Sequence, residues 1–357
     1  MQLRLAPVAS LVFASSAFAQ CFPQPLIQNG GFELPVIADN STQANVTPTG
    51  WTWTPVVGGF LFRGAVGPIW PLAPQESQYL DIGNTNSYAL RQVFTVPHRQ
   101  VVHIQWRASA AAGAVTSPYF MRVLRASDGS PYYSIFGDAA GPYPLGDFWQ
   151  TVISNYDFDP GQYIVEFQAQ GLPNGFDTLI DDVRFDALPE PYILFGSSAG
   201  SGTPGDSTTM SVRISGAPPI TPEWQRRVGG ATGTWTPLTD GFVPGLGTVS
   251  GASTDTLHLS DLVPAGGYQE FRCIATNACG ESPYLLGFAL NVPQCDSIDF
   301  NRNNVFPEDQ DVIDFFNVLA GADCPTCRDI DFNNNGVFPE DQDVIDFFNT
   351  LAGGACG

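Results

Sequence analysis

The chain has 357 residues, with 35 acidic side chains against 14 arginines, no lysine and a formal net charge of −21. So acidic a chain has no electrostatic route to nucleic acid or to anionic lipid, which leaves neutral polymers, cations and other proteins as partners. Glycine and proline are abundant (37 and 30) and only 14% of residues are charged, a composition of β-sandwiches rather than of helical or α/β enzymes.

Residues 1–19 read MQLRLAPVASLVFASSAFA, an early arginine followed by a short apolar run and Ala-Phe-Ala. That is the pattern of an export signal cleaved before Gln20, and its apolar stretch is too short to span a bilayer. Gln20 before Cys21 does not suit a lipidation site. The mature chain is therefore expected to be secreted, with most of its seven cysteines oxidised.

Residues 20–188 form the first expected domain. LIQNGGFELP, GWTWTP, LRQVFTV, VVHIQW, YFMRVLR, YIVEFQAQ and TLIDDVRF are runs of strand length separated by Gly, Pro, Asn and Asp. Many alternate apolar and polar, and no useful helical period appears. One antiparallel sandwich is the economical reading. Trp51, Trp53 and Trp70, with Tyr79 and Tyr88, fall in loop-rich sequence. Exposed, such rings stack on sugar faces; buried, they fill a core, the commoner fate of Trp and the one expected of Trp51. Trp53, Trp70 and Tyr88 are the glycan-binding candidates.

LIQNGGFE at the start, GW some twenty residues on and LIDDVRF at the end resemble the galactose-binding-like jelly rolls, including carbohydrate-binding modules of the family 4, 9 and 22 kind. The resemblance implies that the first and last strands lie together beside a structural calcium. Carried onto this chain, Glu33 and Asp182 would be its carboxylate ligands, with Asp181 as the alternate. Carboxylate oxygens suit calcium, and two distant strands joined by one ion would pin the chain ends.

Residues 189–293 read as a second β-domain: SVRISG, PEWQRRV, TDTLHLSDL, FRCIATNACGE and LLGFALNV. Their order resembles an immunoglobulin-like domain with Trp224 on the third strand and FRC on the sixth. Met210 and Val212 stand where a first core cysteine would be, and Phe271 replaces the usual tyrosine. An inter-sheet disulfide is therefore not expected. Cys273 is expected to pair with Cys279 across a hairpin, leaving Cys21 as a free thiol or an intermolecular link.

Residues 294–357 contain one sequence twice, offset by 32: DFNRNNVFPEDQDVIDFFNVL from Asp299 and DFNNNGVFPEDQDVIDFFNTL from Asp331. Oxygen ligands at positions 1, 3 and 5 and a carbonyl at 7 define a calcium loop. The first copy supplies Asp299, Asn301, Asn303 and the carbonyl of Val305; the second supplies Asp331, Asn333, Asn335 and that of Val337. Position 12 is Gln310 or Gln342, so a one-residue insertion near Pro307 and Pro339 would bring Asp311 and Asp343 into the closing place. Asn304 and Gly336 hold the position that needs left-handed backbone. Val312, Phe315, Phe316 and Leu319 recur at helical spacing, one apolar face per copy. From Cys295 to Gly357 there are 13 acids and two arginines, repulsion that so small a core cannot easily outweigh without counter-ions or staples. Cysteines bracket each copy, predicting Cys295–Cys324 and Cys327–Cys356, which would make CPTC the junction of two disulfides rather than a redox pair.

This tail is similar to dockerins, and more closely to GC-type dockerin-like tails of secreted bacterial proteins. The resemblance implies Ca2+ and attachment, through a cohesin-like or other surface protein. The expected fold is mainly β, a jelly-roll sandwich plus an immunoglobulin-like sandwich plus a small α-helical dockerin-like repeat. No catalytic motif is present, and His98, His103 and His258 are scattered. The expectation is a non-catalytic binding or adhesion protein held at the cell surface, with polysaccharide as a candidate ligand and no membrane insertion. The alternative is a glycoside hydrolase using two of Glu76, Asp81, Glu166 and Asp177, which would have to face each other across a sugar.

Overall fold

The computed structural model describes residues 21–354 and 356, apart from 56–57, 65–72, 75–76, 84–86, 88, 111–115, 141–148, 171–176, 199, 265–267 and 283–286. The expected export signal, Trp70, Glu76 and Tyr88 therefore lie outside the described residues. The chain is mainly β, 46% strand and 9% helix. It divides into two compact units, Met1–Glu190 and Pro191–Gly357.

The strands of the first unit are β1 Gln24–Pro25, β2 Ser41–Ala44, β3 Thr52–Thr54, β4 Phe60–Arg63, β5 Gln78–Asp81 and β6 Ala89–Val96. They continue with β7 Gln100–Ala110, β8 Thr116–Arg125, β9 Pro131–Ala140, β10 Gln150–Phe158, β11 Gly161–Ala169 and β12 Thr178–Ala187. One sheet runs β10-β7-β12-β5-β4-β2 with β1 on β12, and the other β3-β6-β11-β8-β9. Alternation decides which side chains meet between them. Along β7, Val102, Ile104, Trp106, Ala108 and Ala110 enter the core, as do Leu90, Phe94 and Val96 of β6. Trp51 and Trp53 are buried in the same core, and their indole N–H groups donate to the carbonyls of Asn29 (3.1 Å) and Val46 (2.9 Å). Trp53 is thus a core residue, not a stacking platform. Its ring satisfies its one polar atom internally, as buried Trp must.

The opening and closing motifs lie together. The Val183 N–H donates to the Gly30 carbonyl at 3.0 Å, and a Cβ on Gly30 would stand 1.8 Å from the Val183 oxygen. Only glycine admits that approach. A bulge between Asp181 and Arg184, with Asp182 at φ 50°, re-aims β12 there.

In the second unit the strands are β13 Tyr192–Ser197, β14 Thr208–Ser215, β15 Thr221–Val228, β16 Thr236–Pro237 and β17 Gly241–Val243. After them come β18 Gly247–Ser250, β19 Thr256–Ser260, β20 Gln269–Asn277, β21 Gly280–Glu281 and β22 Gly287–Leu290. Sheets β13-β14-β19-β18-β17 and β16-β15-β20-β21, with β22 on β20, enclose Met210, Val212, Trp224, Phe271 and Cys273. Cys273 is a buried free thiol, and Cys279 is disulfide-bonded without it. This corrects the expected hairpin bridge: Cys273 lies opposite Trp224 on the inward face of β20 and acts as a small apolar core residue. Cys21 is also disulfide-bonded rather than free.

Two helices follow, α1 Asp309–Leu319 and α2 Asp341–Leu351. Phe300, Phe315, Phe332 and Phe347, two from each copy, form their shared core. Phe315 stacks on Phe347 with centroids 4.3 Å apart, and Phe332 meets Phe347 at 5.3 Å. This interleaving sets the start of copy one beside copy two, where the Asp296 N–H donates to the Phe332 carbonyl at 2.9 Å. The disulfides follow from it and differ from the expected pairs. Cys295 joins Cys356 across 61 residues, and Cys324 joins Cys327 within CPTC. The helix face is narrower than its period suggests, because Phe316 is 43% exposed.

Candidate functional site

The two tail loops are built by their own side chains. The Asp299 carboxylate accepts the N–H groups of Asn303 (3.0 Å) and Asn304 (3.1 Å), and Asn301 Oδ1 accepts that of Asn303 at 3.1 Å. Asn303 Oδ1 accepts the Val305 N–H at 2.7 Å. The second loop repeats this, with Asp331 taking Asn335 (3.0 Å) and Gly336 (2.8 Å) and Asn335 taking Val337 (2.7 Å). Such side-chain to backbone contacts curl each loop into successive tight turns. Asn304 and Gly336 have φ of 64° and 80°, the left-handed turn the loop needs.

Asp311 and Asp343 sit fully buried in the first helical turns, beneath the loops. Asp311 Oδ1 accepts the Phe300 N–H at 2.9 Å, while its Oδ2 is buried with no hydrogen-bond partner. Asp343 divides its oxygens between Asn333 N–H (3.4 Å) and Glu340 N–H (3.3 Å). Burial raises both carboxyls above the usual range, with Asp299 adding to it at Asp311 and Asp331 and Glu340 at Asp343. A buried carboxylate oxygen without a donor costs free energy that a cation would recover.

Gln310 and Gln342 are exposed and donate to Asp314 (2.8 Å) and Asp346 (3.0 Å), so neither closes a loop. Four carboxylates beyond the sequence-derived set reach the loop asparagines. Glu308 accepts from Asn303 and Glu340 from Asn335, while Asp314 accepts from Asn301 at 3.1 Å and Asp346 from Asn333 at 3.2 Å. The signal was present: positions 308, 311 and 314 fall at intervals of three, one helical side. The set of three metal-type donors that converges among the described residues is Cys295, Asp346 and Cys356, and its two sulfurs are already spent on a disulfide.

In the first unit, the proposed calcium carboxylates have other partners. Glu33 accepts the N–H groups of Ser77 (2.8 Å) and Gln78 (2.6 Å) and the Ser77 hydroxyl (2.8 Å). Asp182 is buried with Gln105 at 2.7 Å, Arg184 at 2.6 Å and Arg107 at 3.3 Å. Two guanidinium charges already compensate Asp182 and would repel a divalent ion. Asp181 accepts the Asp182 N–H at 2.7 Å.

The β7-β12-β5-β4 sheet also has an outer face, turned away from the main core. Phe60, Phe62, Tyr79 and Trp149 contact in sequence across it, at centroid distances of 6.4, 5.1 and 5.5 Å. Phe60 is 44% exposed, whereas Tyr79 is buried and its hydroxyl has no partner. Asp81, buried beside Tyr79, is hydrogen-bonded to Asp177. Desolvation, then the charge of Asp177, raises the Asp81 carboxyl well above its ordinary range. Of the four hydrolase candidates, Asp81 and Asp177 are the two whose carboxyls interact with each other among the described residues. Glu166 is clamped between Arg91 (2.6 Å) and Arg122 (2.8 Å) on the other sheet.

No family model and no curated protein matches this chain. Among solved structures it is similar to a carbohydrate-binding module of family 4, at 16% identity and a TM-score of 0.29, covering 45% of this chain and 99% of that one. A xylan-binding family 22 module from Paenibacillus barcinonensis aligns at 14% identity and a TM-score of 0.30, covering 43% and 98%. The tandem of two such modules from the same organism aligns at 12% identity and 0.33, covering 71% of this chain and 89% of the tandem.

Proposed function

We propose that this chain is a secreted, modular binding protein whose C-terminal repeat is a calcium-ordered, dockerin-like attachment module. The observation that carries this reading is Asp311, a fully buried carboxylate with one unsatisfied oxygen beneath an Asp-x-Asn-x-Asn loop. Bound calcium would supply positive charge to a cluster of carboxylates and amide oxygens that otherwise repel or stand unpaired. Asp299, Asn301, Asn303, the Val305 carbonyl and Asp311 would hold one ion, and Asp331, Asn333, Asn335, the Val337 carbonyl and Asp343 the other. Glu308 and Glu340 are additional oxygen donors at each loop.

Attachment is supported by what the module leaves uncovered. Val305, Phe306, Ile313 and Phe316 are 43–56% exposed, and their counterparts Val337, Phe338, Ile345 and Phe348 are 40–59% exposed. Phe316 and Phe348 touch at 5.9 Å, joining the two copies. Large apolar side chains repeated on so acidic a module suit a protein partner with an apolar patch and a basic rim, a cohesin-like or other surface protein. The preceding sandwich, immunoglobulin-like in strand order, is then a spacer.

For the first sandwich we propose polysaccharide binding at the outer sheet face, where the exposed Phe60 and the half-buried Trp149 flank the buried Phe62 and Tyr79. Their accessible rings would supply apolar faces for pyranose C–H groups. Calorimetric titration of the chelator-stripped full chain tests the attachment reading. It is expected to show two calcium sites, with Asp311→Asn and Asp343→Asn each removing one; heat of dilution alone would end it.

A further inference from the structure

The duplication is nearly symmetric in sequence and in space, and two of its differences change charge at facing positions. Offset by 32 residues, Asp296 corresponds to Arg328 and Arg302 to Asn334. In one half, Asn334 Nδ2 donates to Asp296 Oδ1 at 3.2 Å, closing the leading segment of copy one onto the loop of copy two. In the other half both equivalent positions are arginine, two like charges where the first half has a hydrogen bond. They are also the only two cations after residue 294.

Asp206 fills that gap from the preceding β-domain. One of its oxygens lies 3.8 Å from the Arg302 guanidinium and the other 3.4 Å from that of Arg328. Arg328 is 7% exposed and its Nε donates to the Asp299 carbonyl at 3.4 Å. Asp206 is itself presented by a fixed turn, since its carbonyl accepts the Leu262 N–H at 3.1 Å and Leu262 is part of the second core. An ion pair in which one partner is desolvated and the other is held rigidly loses less to side-chain entropy than a pair of mobile surface charges.

From these contacts we infer that Arg302, Arg328 and Asp206 form an intramolecular latch that docks the repeat onto the second β-domain through the first loop only. The duplicated module would have two equivalent ways to present that edge, and the arginine pair selects one. The Asp296–Asn334 edge of the second loop, with no cation, cannot accept Asp206. Arg302 lies inside the first loop, between Asn301 and Asn303, so the latch also braces that loop and not its twin.

Hydrogen–deuterium exchange on the full chain tests this, comparing residues 299–306 with 331–338 in calcium and in chelator. Asp206→Asn and Arg302→Asn, the latter installing the residue found in copy two, should each speed exchange in the first loop about fivefold, the scale of a partly buried ion pair. The second loop should not change. Equal acceleration of both loops, or none, would overturn the latch. If Asp206→Asn loosens the Leu262 turn, Arg302→Asn, at an exposed side chain, decides alone. Asymmetry that persists in chelator supports the latch even where calcium has no effect, so its failure and that of the calcium reading are separable.

Discussion

Asp311 and Asp343 occupy the same place in the two copies but are satisfied differently, and the difference is one oxygen atom. Asp311 gathers the Phe300 and Asn301 N–H groups on Oδ1 and leaves Oδ2 buried without a close hydrogen bond, while Asp343 shares its oxygens between two long contacts. Replacing either with Asn should reduce calcium stoichiometry from two to one without unfolding the module, measurable by calorimetry and circular dichroism. Asp81 makes a different prediction. Its folded-state pKa is raised above the ordinary value of 3.8, by burial first and by Asp177 second. A carboxyl raised on folding binds its proton more tightly in the native state, so its contribution is full below the unfolded value and is lost as pH rises through the folded one. Thermal melts from acid toward neutral pH should show the first unit losing stability, and Asp81→Asn should flatten that slope. Parallel slopes would assign the loss to other groups.

At the scale of elements, the tail is held by four phenylalanines and a long-range disulfide. Phe315→Ala should cost about 3–5 kcal/mol, the usual penalty for emptying a buried ring site, whereas Phe316→Ala should cost under about 1 kcal/mol. Chemical denaturation of the two variants checks the contrast. Removing Cys295–Cys356, which closes 61 residues, should cost about 4 kcal/mol, and removing Cys324–Cys327 much less. The helices were legible in the spacing of Val312, Phe315 and Leu319, but Phe316 was not separable from Phe315 by period alone. The cysteine pairs were not legible either. Adjacent spacing suggested one staple per copy, and only the interleaving of Phe300 with Phe347 shows that the module closes end to end. Likewise Trp53 and Glu33 carry motifs readable in sequence, yet Val46 and Ser77, which engage them, lie on segments that only the fold brings near.

Across the whole molecule, an acidic chain without lysine carries β-domains ahead of a small module that cannot easily balance its own charge. Calcium is the part of this account on which attachment depends, whereas glycan binding stands separately on the first sandwich. Trp149→Ala should weaken retention on a panel of neutral polysaccharides about tenfold, with no soluble sugar released by either protein. Release of oligosaccharides by the wild type would instead favour the hydrolase alternative. The most direct test of the central claim is anomalous X-ray scattering from crystals of the full chain grown with calcium. The account predicts two peaks, one bounded by Asp299, Asn303 and Asp311 and one by Asp331, Asn335 and Asp343. Loops with no peak in calcium-grown crystals, or a single ion at Glu33 and Asp182, would contradict it.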